Sequence, residues 1–301
     1  MALQVLSSVT KTPRGINYVK NDSTTDQIQL LAVVSRWPWA TWRSRTERSL
    51  FHAAKLDRAV AASNGRLVAI RSSVDLAGLL ASRANEPNRV GILLSIEGLH
   101  AAEGKVENLE RLYRAGFRMM GITHFFDNEL GGSSAGVVRG GLTAFGREAV
   151  RWMEQHRVIV DLAHASPATI DDVLAMATRP VVVSHTGVLG TCSRPRNLSD
   201  DQIRRIAATG GVIGIGFWEA AVCGLTPDTI AAAIRHAVDI AGTDRVGLGS
   251  DFDGSTTTGF DVSRMVLVTD ALLRRGFSDD DVRRIMGGNL LALLMSTLPG
   301  S

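Results

Sequence analysis

Residues Ile159-Val160-Asp161-Leu162-Ala163-His164 and Val181-Val182-Val183-Ser184-His185 are two short runs of β-branched and apolar side chains, each ending on a histidine. Pro167 and a stretch of helical character lie between them. A strand buried on both faces reads as a continuous apolar run, so the pair forms a strand–helix–strand unit of a parallel sheet. In α/β barrels the reacting groups sit at the carboxyl ends of such strands. Neutral imidazole is the commonest protein metal ligand. One histidine at a strand end is most often structural, whereas two at equivalent ends of neighbouring strands point to a metal.

Moving outward, strands and helices alternate. Strand 90–96 precedes helix 106–115, and strand 117–122 precedes a Gly-rich loop and helix 143–156. Strand 158–162 leads to helix 168–177, strand 181–183 to helix 200–208, and strand 212–217 to helix 227–241. Strand 246–249 precedes helix 262–275, and a last segment, 279–294, has helical spacing. Upstream, 28–34 (IQLLAVV) reads as the first buried strand, 44–62 as a helix, 67–70 as a short strand and 73–80 as a helix. Residues 1–27 are polar turn chemistry without a period, an irregular N-terminal segment. The repetition predicts an α/β fold, a (β/α)8 TIM-type barrel over residues 28–301, one strand short at its start. No GxGxxG follows a strand, so the dinucleotide-binding fingerprint is absent.

The strand ends carry the chemistry. They bear Glu97-Gly98, Thr123-His124, His164, His185 and Ser250-Asp251-Phe252-Asp253-Gly254. Carboxylates and imidazoles gathered at one barrel mouth suit a catalytic zinc, although Co, Mn or Fe also fit. A hydrolytic metal activates water, and a carboxylate that is not a ligand can carry the proton; Asp251 is the candidate, with a turn residue as the plain alternative. Arg196, in Arg194-Pro195-Arg196-Asn197, is either a two-pronged carboxylate clamp or a solvated loop arginine. His52, His100, His156 and His236 read as surface or supporting residues. Gly131-Gly132-Ser133-Ser134 lacks the Lys-Ser/Thr of a phosphate loop and reads as a flexible mouth loop.

Bulk properties set the limits. The chain has 301 residues, 45% hydrophobic and 21% charged, as in a globule with a sizeable core. Net charge is +3, but residues 1–60 hold nine Lys/Arg against four Asp/Glu. The basic excess therefore belongs to one segment rather than to a binding face, and nucleic acid is not an expected partner. Two cysteines, Cys192 and Cys223, are too few for a disulfide framework, so reduced thiols and a cytoplasmic setting are expected. Residues 1–10 lack the pattern of a signal peptide, no run of about 18 apolar residues offers a membrane span, and no membrane partner is expected.

The stretches Ser95-Ile96-Glu97-Gly98, Gly121-Ile122-Thr123-His124, Val160-Asp161-Leu162-Ala163-His164, Val183-Ser184-His185, Arg196-Asn197-Leu198 and Gly249-Ser250-Asp251-Phe252-Asp253-Gly254 together resemble the membrane (renal-type) dipeptidases, the M19 metallopeptidases of the amidohydrolase superfamily. The resemblance runs in the family's order from about residue 28 to 294. It implies a metal-dependent barrel holding two zinc ions, cleavage of dipeptides with tolerance of a C-terminal D-residue, and homodimers. Glu97 would bridge the metals, and His164 and His185 would complete one ligand set. His124 would bind substrate and stabilise the tetrahedral intermediate, Arg196 would hold the substrate carboxylate, and Asp251 would handle the proton. The sequence departs at one point: the family's first strand ends in His-x-Asp, and no His-x-Asp occurs in residues 1–60. The first strand is thus expected to be missing or replaced, with residues 3–9 the candidate substitute, as in a member that begins late. Three readings follow: a dipeptidase with one or two metals, a related hydrolase of a non-peptide amide or lactone, and a truncated, inactive relative.

Overall fold

The computed structural model describes residues 2–252 and 254–300, and the chain divides into two compact units, residues 1–173 with 294–301 and residues 174–293. The first unit contains β1 (Leu3–Ser8), α1 (Gln27–Val34), α2 (Arg45–Ala62), β2 (Leu67–Ala69), α3 (Ser73–Ser82), β3 (Val90–Ile96), α4 (Val106–Arg114), β4 (Phe117–Gly121), α5 (Ala144–Gln155) and β5 (Ile159–Asp161). Its strands are parallel: β3 pairs with β1, β2 and β4, and β4 pairs with β5. β3, sequence VGILLSI, is buried from Gly91 to Ile96, as a continuous apolar run requires. Helix starts are set by hydroxyls: Ser44, Ser72 and Thr143 accept from the backbone N–H of Glu47, Asp75 and Gly146. Each such cap contributes roughly 1 kcal/mol. α4 turns Leu109 and Leu112 inward and leaves most of its charged side chains on the outer face.

Two expectations fail here. Residues 28–34 are not a strand; they lie in α1. A short apolar run does not distinguish strand from helix, and the deciding residue is Asp26. Its side chain caps α1 by accepting from Gln29 N–H and also receives the Arg48 guanidinium at 2.6 Å. Apart from Ala32 the apolar run is not buried either: Leu30 is 56% and Val34 72% exposed. The first strand, conversely, is present. Residues 3–8, within the stretch 3–9 expected as a substitute strand and inside the segment otherwise read as irregular, form β1, in register with β3 from Leu3↔Gly91 to Ser8↔Ile96. Arg48, almost wholly buried, ties this region together. It donates to the carbonyls of Thr41 (2.7 Å), Thr10 (2.6 Å) and Trp42 (3.3 Å) as well as to Asp26.

α6 (Pro167–Met176) leads into the second unit, which holds β6 (Val182–Thr186), α7 (Asp200–Ala208), β7 (Val212–Ile215), α8 (Glu219–Val222), α9 (Pro227–Ala241), β8 (Val246–Leu248), α10 (Val266–Arg274) and α11 (Asp279–Arg283); α12 (Asn289–Thr297) returns to the first. β6, β7 and β8 are parallel neighbours, with Val182↔Val212 and Ile213↔Val246 in register. α7 begins with a reciprocal capping box between Ser199 and Gln202. α9 begins at Pro227 behind a Thr226 cap, where the absent proline N–H costs nothing. The expectation of free thiols also fails: Cys192 and Cys223 form a disulfide, Cα–Cα 5.4 Å. Among the described residues no helix is long and apolar enough to cross a membrane.

Candidate metal centre

In the first unit, Glu97 directly follows β3, while His124 and His164 each lie three residues beyond β4 and β5. These strands are consecutive neighbours, so the three side chains converge at one end of the sheet. Their ligand atoms all lie within 4.8 Å of one another. Glu97 Oε1 is 2.8 Å from His164 Nε2 and 3.5 Å from His124 Nε2. The imidazoles meet edge to face, centroids 4.6 Å apart, and Phe125 packs on both. His124 and His164 are buried, and Glu97 is nearly so.

Local backbone features hold this arrangement. His164 has φ +65°, a left-handed conformation that costs a non-glycine residue energy and that concentrates at functional sites. Its carbonyl accepts from Ser134 N–H at 2.8 Å, and Ser133 Oγ donates to the His124 carbonyl. The segment read as a flexible mouth loop is therefore a buried bracket. It is itself fixed by Asp127, whose carboxylate accepts from the N–H groups of Ser133 (2.8 Å) and Val138 (2.7 Å). Gly98 has φ +86°, and a Cβ there would lie 2.5 Å from His100 Cε1 and 3.0 Å from His124 Cβ. Only glycine lets the end of β3 approach His124 this closely.

His100 is completely buried against Phe126, with no hydrogen-bond partner at either ring nitrogen among the described residues. Burial holds its pKa well below the usual histidine value, so it is neutral. It is no surface residue, and its place behind the Glu-Gly turn had no sequence signal. Of the other histidines, His156 stacks on Trp152 and His236 Nε2 pairs with Asp200 at 2.8 Å.

The end of β1 carries no His-x-Asp. It reads Ser7-Ser8-Val9-Thr10, with Ser7 Oγ 2.5 Å from Ser95 Oγ. Ser8 Oγ faces α2 and lies 3.2 Å from Ser49 Oγ and 2.8 Å from His52 Nδ1. His52 packs edge-on to Trp37, and burial lowers its pKa to about 4. This strand end carries hydroxyls and neither carboxylate nor imidazole. Carboxylate and imidazole groups that could hold one metal ion are gathered in the first unit, at Glu97, His124 and His164.

The other predicted residues belong to the second unit. His185 lies within β6, Nδ1 2.9 Å from Ser184 Oγ, its ring 5.8 Å from that of Trp218. The Arg196 guanidinium lies over the Trp218 ring at 4.9 Å, and its Nη2 donates to the His185 carbonyl at 3.4 Å. Asp251 follows β8 with φ +57°, its carbonyl accepting from Thr256 Oγ1 at 2.9 Å. Asp253 lies outside the described residues. Within the first unit the cluster joins Glu97 and His164 with His124.

The pattern of the membrane dipeptidase family, peptidase family M19, matches residues 5–297. The dipeptidase verJ of Clonostachys rogersoniana is 36% identical over 215 residues, covering 69% of this chain and 55% of that protein. An uncharacterized dipeptidase of Schizosaccharomyces pombe is 33% identical over 220 residues, covering 70% and 54%. The chain thus spans about half the length of the curated relatives it matches. A metallo peptidase from Rhodobacter sphaeroides, liganded with a phosphinate mimic of the dipeptide L-Ala-D-Ala, superposes with a TM-score of 0.75 at 24% identity, covering 84% of this chain and 75% of that one. A probable dipeptidase, PvdM, from Pseudomonas aeruginosa gives 0.77 at 21% identity, with 84% and 79% covered. These likenesses establish the α/β, TIM-type fold of the M19 dipeptidases. The chain belongs to the membrane dipeptidase family, peptidase family M19.

Proposed function

We propose that the chain is a metal-dependent dipeptidase that works with a single metal ion, zinc. The observation that carries this reading is the convergence of Glu97, His124 and His164 at neighbouring strand ends, with no second ligand pair at the end of β1. A three-ligand site with an open position is the usual form of a catalytic zinc. When bound, the metal lowers the pKa of a water molecule to ~7 and polarises the scissile carbonyl. Glu97, His124 and His164 would hold it. The family resemblance instead makes His185 the third ligand and His124 the group that binds substrate, with Arg196 as the clamp for the substrate's C-terminal carboxylate and Asp251 as the group that takes and returns the proton. Dipeptides are the substrate class, including those ending in a D-residue, as the ligand of the Rhodobacter sphaeroides protein suggests.

The test is hydrolysis of L-Ala-L-Ala and L-Ala-D-Ala by zinc-supplemented protein before and after chelation. The proposal expects turnover that chelation abolishes and zinc restores. Turnover indifferent to the chelator, or cleavage confined to a non-peptide amide or lactone, contradicts it. The serines at the end of β1 favour a second reading, a non-catalytic member of the family, and the absence of turnover on any dipeptide supports that one.

A further inference from the structure

Trp218 lies three residues beyond β7, and its side chain is 3% exposed. Its indole Nε1–H has no acceptor among the described residues. A buried indole N–H normally finds a partner, so the ring is kept here at a cost. What it provides is its face. The Arg196 guanidinium lies over the ring at 4.9 Å, and the His185 ring packs against it at 5.8 Å with an interplanar angle of 59°. Gly216 makes the placement feasible, because a Cβ at that position would overlap the six-membered ring of Trp218.

The loop bearing Arg196 is fastened to the segment that follows Trp218. Asn197 Nδ2 donates to the carbonyls of Cys192 (2.7 Å) and Ala221 (2.9 Å), Thr186 Oγ1 donates to the Arg196 carbonyl (3.3 Å), and the Cys192–Cys223 disulfide joins the loop to the residue after α8. A guanidinium held over an aromatic face is restricted in its orientation, and its planar fork offers two N–H groups side by side to a carboxylate.

We propose that Trp218 is a positioning residue for substrate recognition: its aromatic face fixes the plane of Arg196 so that the guanidinium meets the C-terminal carboxylate of the substrate. The proposal rests on the reading of Arg196 as the carboxylate clamp. It assigns Trp218 no contact with the reacting atoms.

Trp218→Leu and Trp218→Phe test it together. Both remove the indole N–H and keep apolar bulk, but only Phe retains an aromatic face. Trp218→Leu is expected to raise KM for a dipeptide about 10-fold with kcat within 3-fold of wild type, the size of a cation–π contact between the exposed and the fully desolvated case. Trp218→Phe is expected to stay within about 3-fold in KM. A second readout needs no turnover: calorimetric binding of N-acetyl-D-alanine, compared with its carboxamide. Leu is expected to weaken the acid about 10-fold and leave the weak amide unchanged. Equal KM and equal acid binding in Leu, Phe and wild type overturn the inference, even if the wild type cleaves dipeptides. A wild type that binds the acid but cleaves nothing, with the Leu defect present, upholds the inference and removes the dipeptidase reading. A wild type that does not discriminate acid from amide overturns both the clamp and this role of Trp218.

Discussion

Gly98→Ala is expected to damage the site by strain and by clash together. Residue 98 sits at φ +86°, where an L-residue costs roughly 1–2 kcal/mol. The added Cβ would also lie 2.5 Å from Cε1 and 2.6 Å from Nδ1 of His100, and 3.0 Å from Cβ of His124. His100 cannot retreat, because it is completely buried against Phe126 at 4.9 Å. Overpacking of this kind costs a further ~1–3 kcal/mol, for a total of about 2–5 kcal/mol. Gly15 supplies the control: its φ is +66°, but a Cβ there meets nothing within 4 Å, so Gly15→Ala carries the backbone cost alone, ~1 kcal/mol. Urea unfolding of wild type, Gly15→Ala and Gly98→Ala separates strain from clash, and metal titration of the folded variants reports the displacement of His124. If Gly98→Ala unfolds at the same denaturant concentration as Gly15→Ala and binds metal as wild type does, the close packing argued around Glu97 is wrong.

Three further perturbations follow from the same contacts. His52, with its folded pKa lowered by burial to about 4, binds its proton more readily in the unfolded chain; it contributes stability that is full above pH ~6.5 and is lost as pH falls toward 4, up to ~3 kcal/mol, so His52→Gln should flatten the stability profile over that window. Arg48→Leu should cost about 3–5 kcal/mol in urea unfolding, because it strands the partly buried Asp26 carboxylate and frees the Thr10, Thr41 and Trp42 carbonyls. Removing the disulfide in Cys192→Ala/Cys223→Ala opens a link between residues 31 apart and should lower stability by about 3–4 kcal/mol, while thiol titration of denatured, unreduced wild type should detect no free thiol.

What the sequence disclosed was the part written in local pattern. Continuous β-branched runs ending in Glu97, His164 and His185 marked parallel strands with polar ends, and the structure keeps all three strands. The run 28–34 misled because its partner is distant: Asp26 caps a helix and is held there by Arg48, twenty-two positions along the chain. β1 was only partly legible: residues 3–9 offered themselves as a substitute strand, but LQVLSS has few apolar residues, and pairing with β3 rather than burial defines it. The roles of His100, Asp127 and Trp218 depend on the packing of a turn, a loop carboxylate and a ring face, none of which has a spacing rule. The loss of His-x-Asp was legible as an absence. Its physical form, a strand end of hydroxyls with Ser8 directed at His52, was not.

The central claim is a one-metal centre built on Glu97, His124 and His164. Elemental mass spectrometry of zinc-supplemented, gel-filtered protein tests it most directly, with Glu97→Gln measured alongside. The account predicts about one zinc per chain in the wild type and near none in Glu97→Gln. Two per chain would mean that ligands other than the serines of β1 complete a second site, and none in a folded wild type would contradict the metal centre itself.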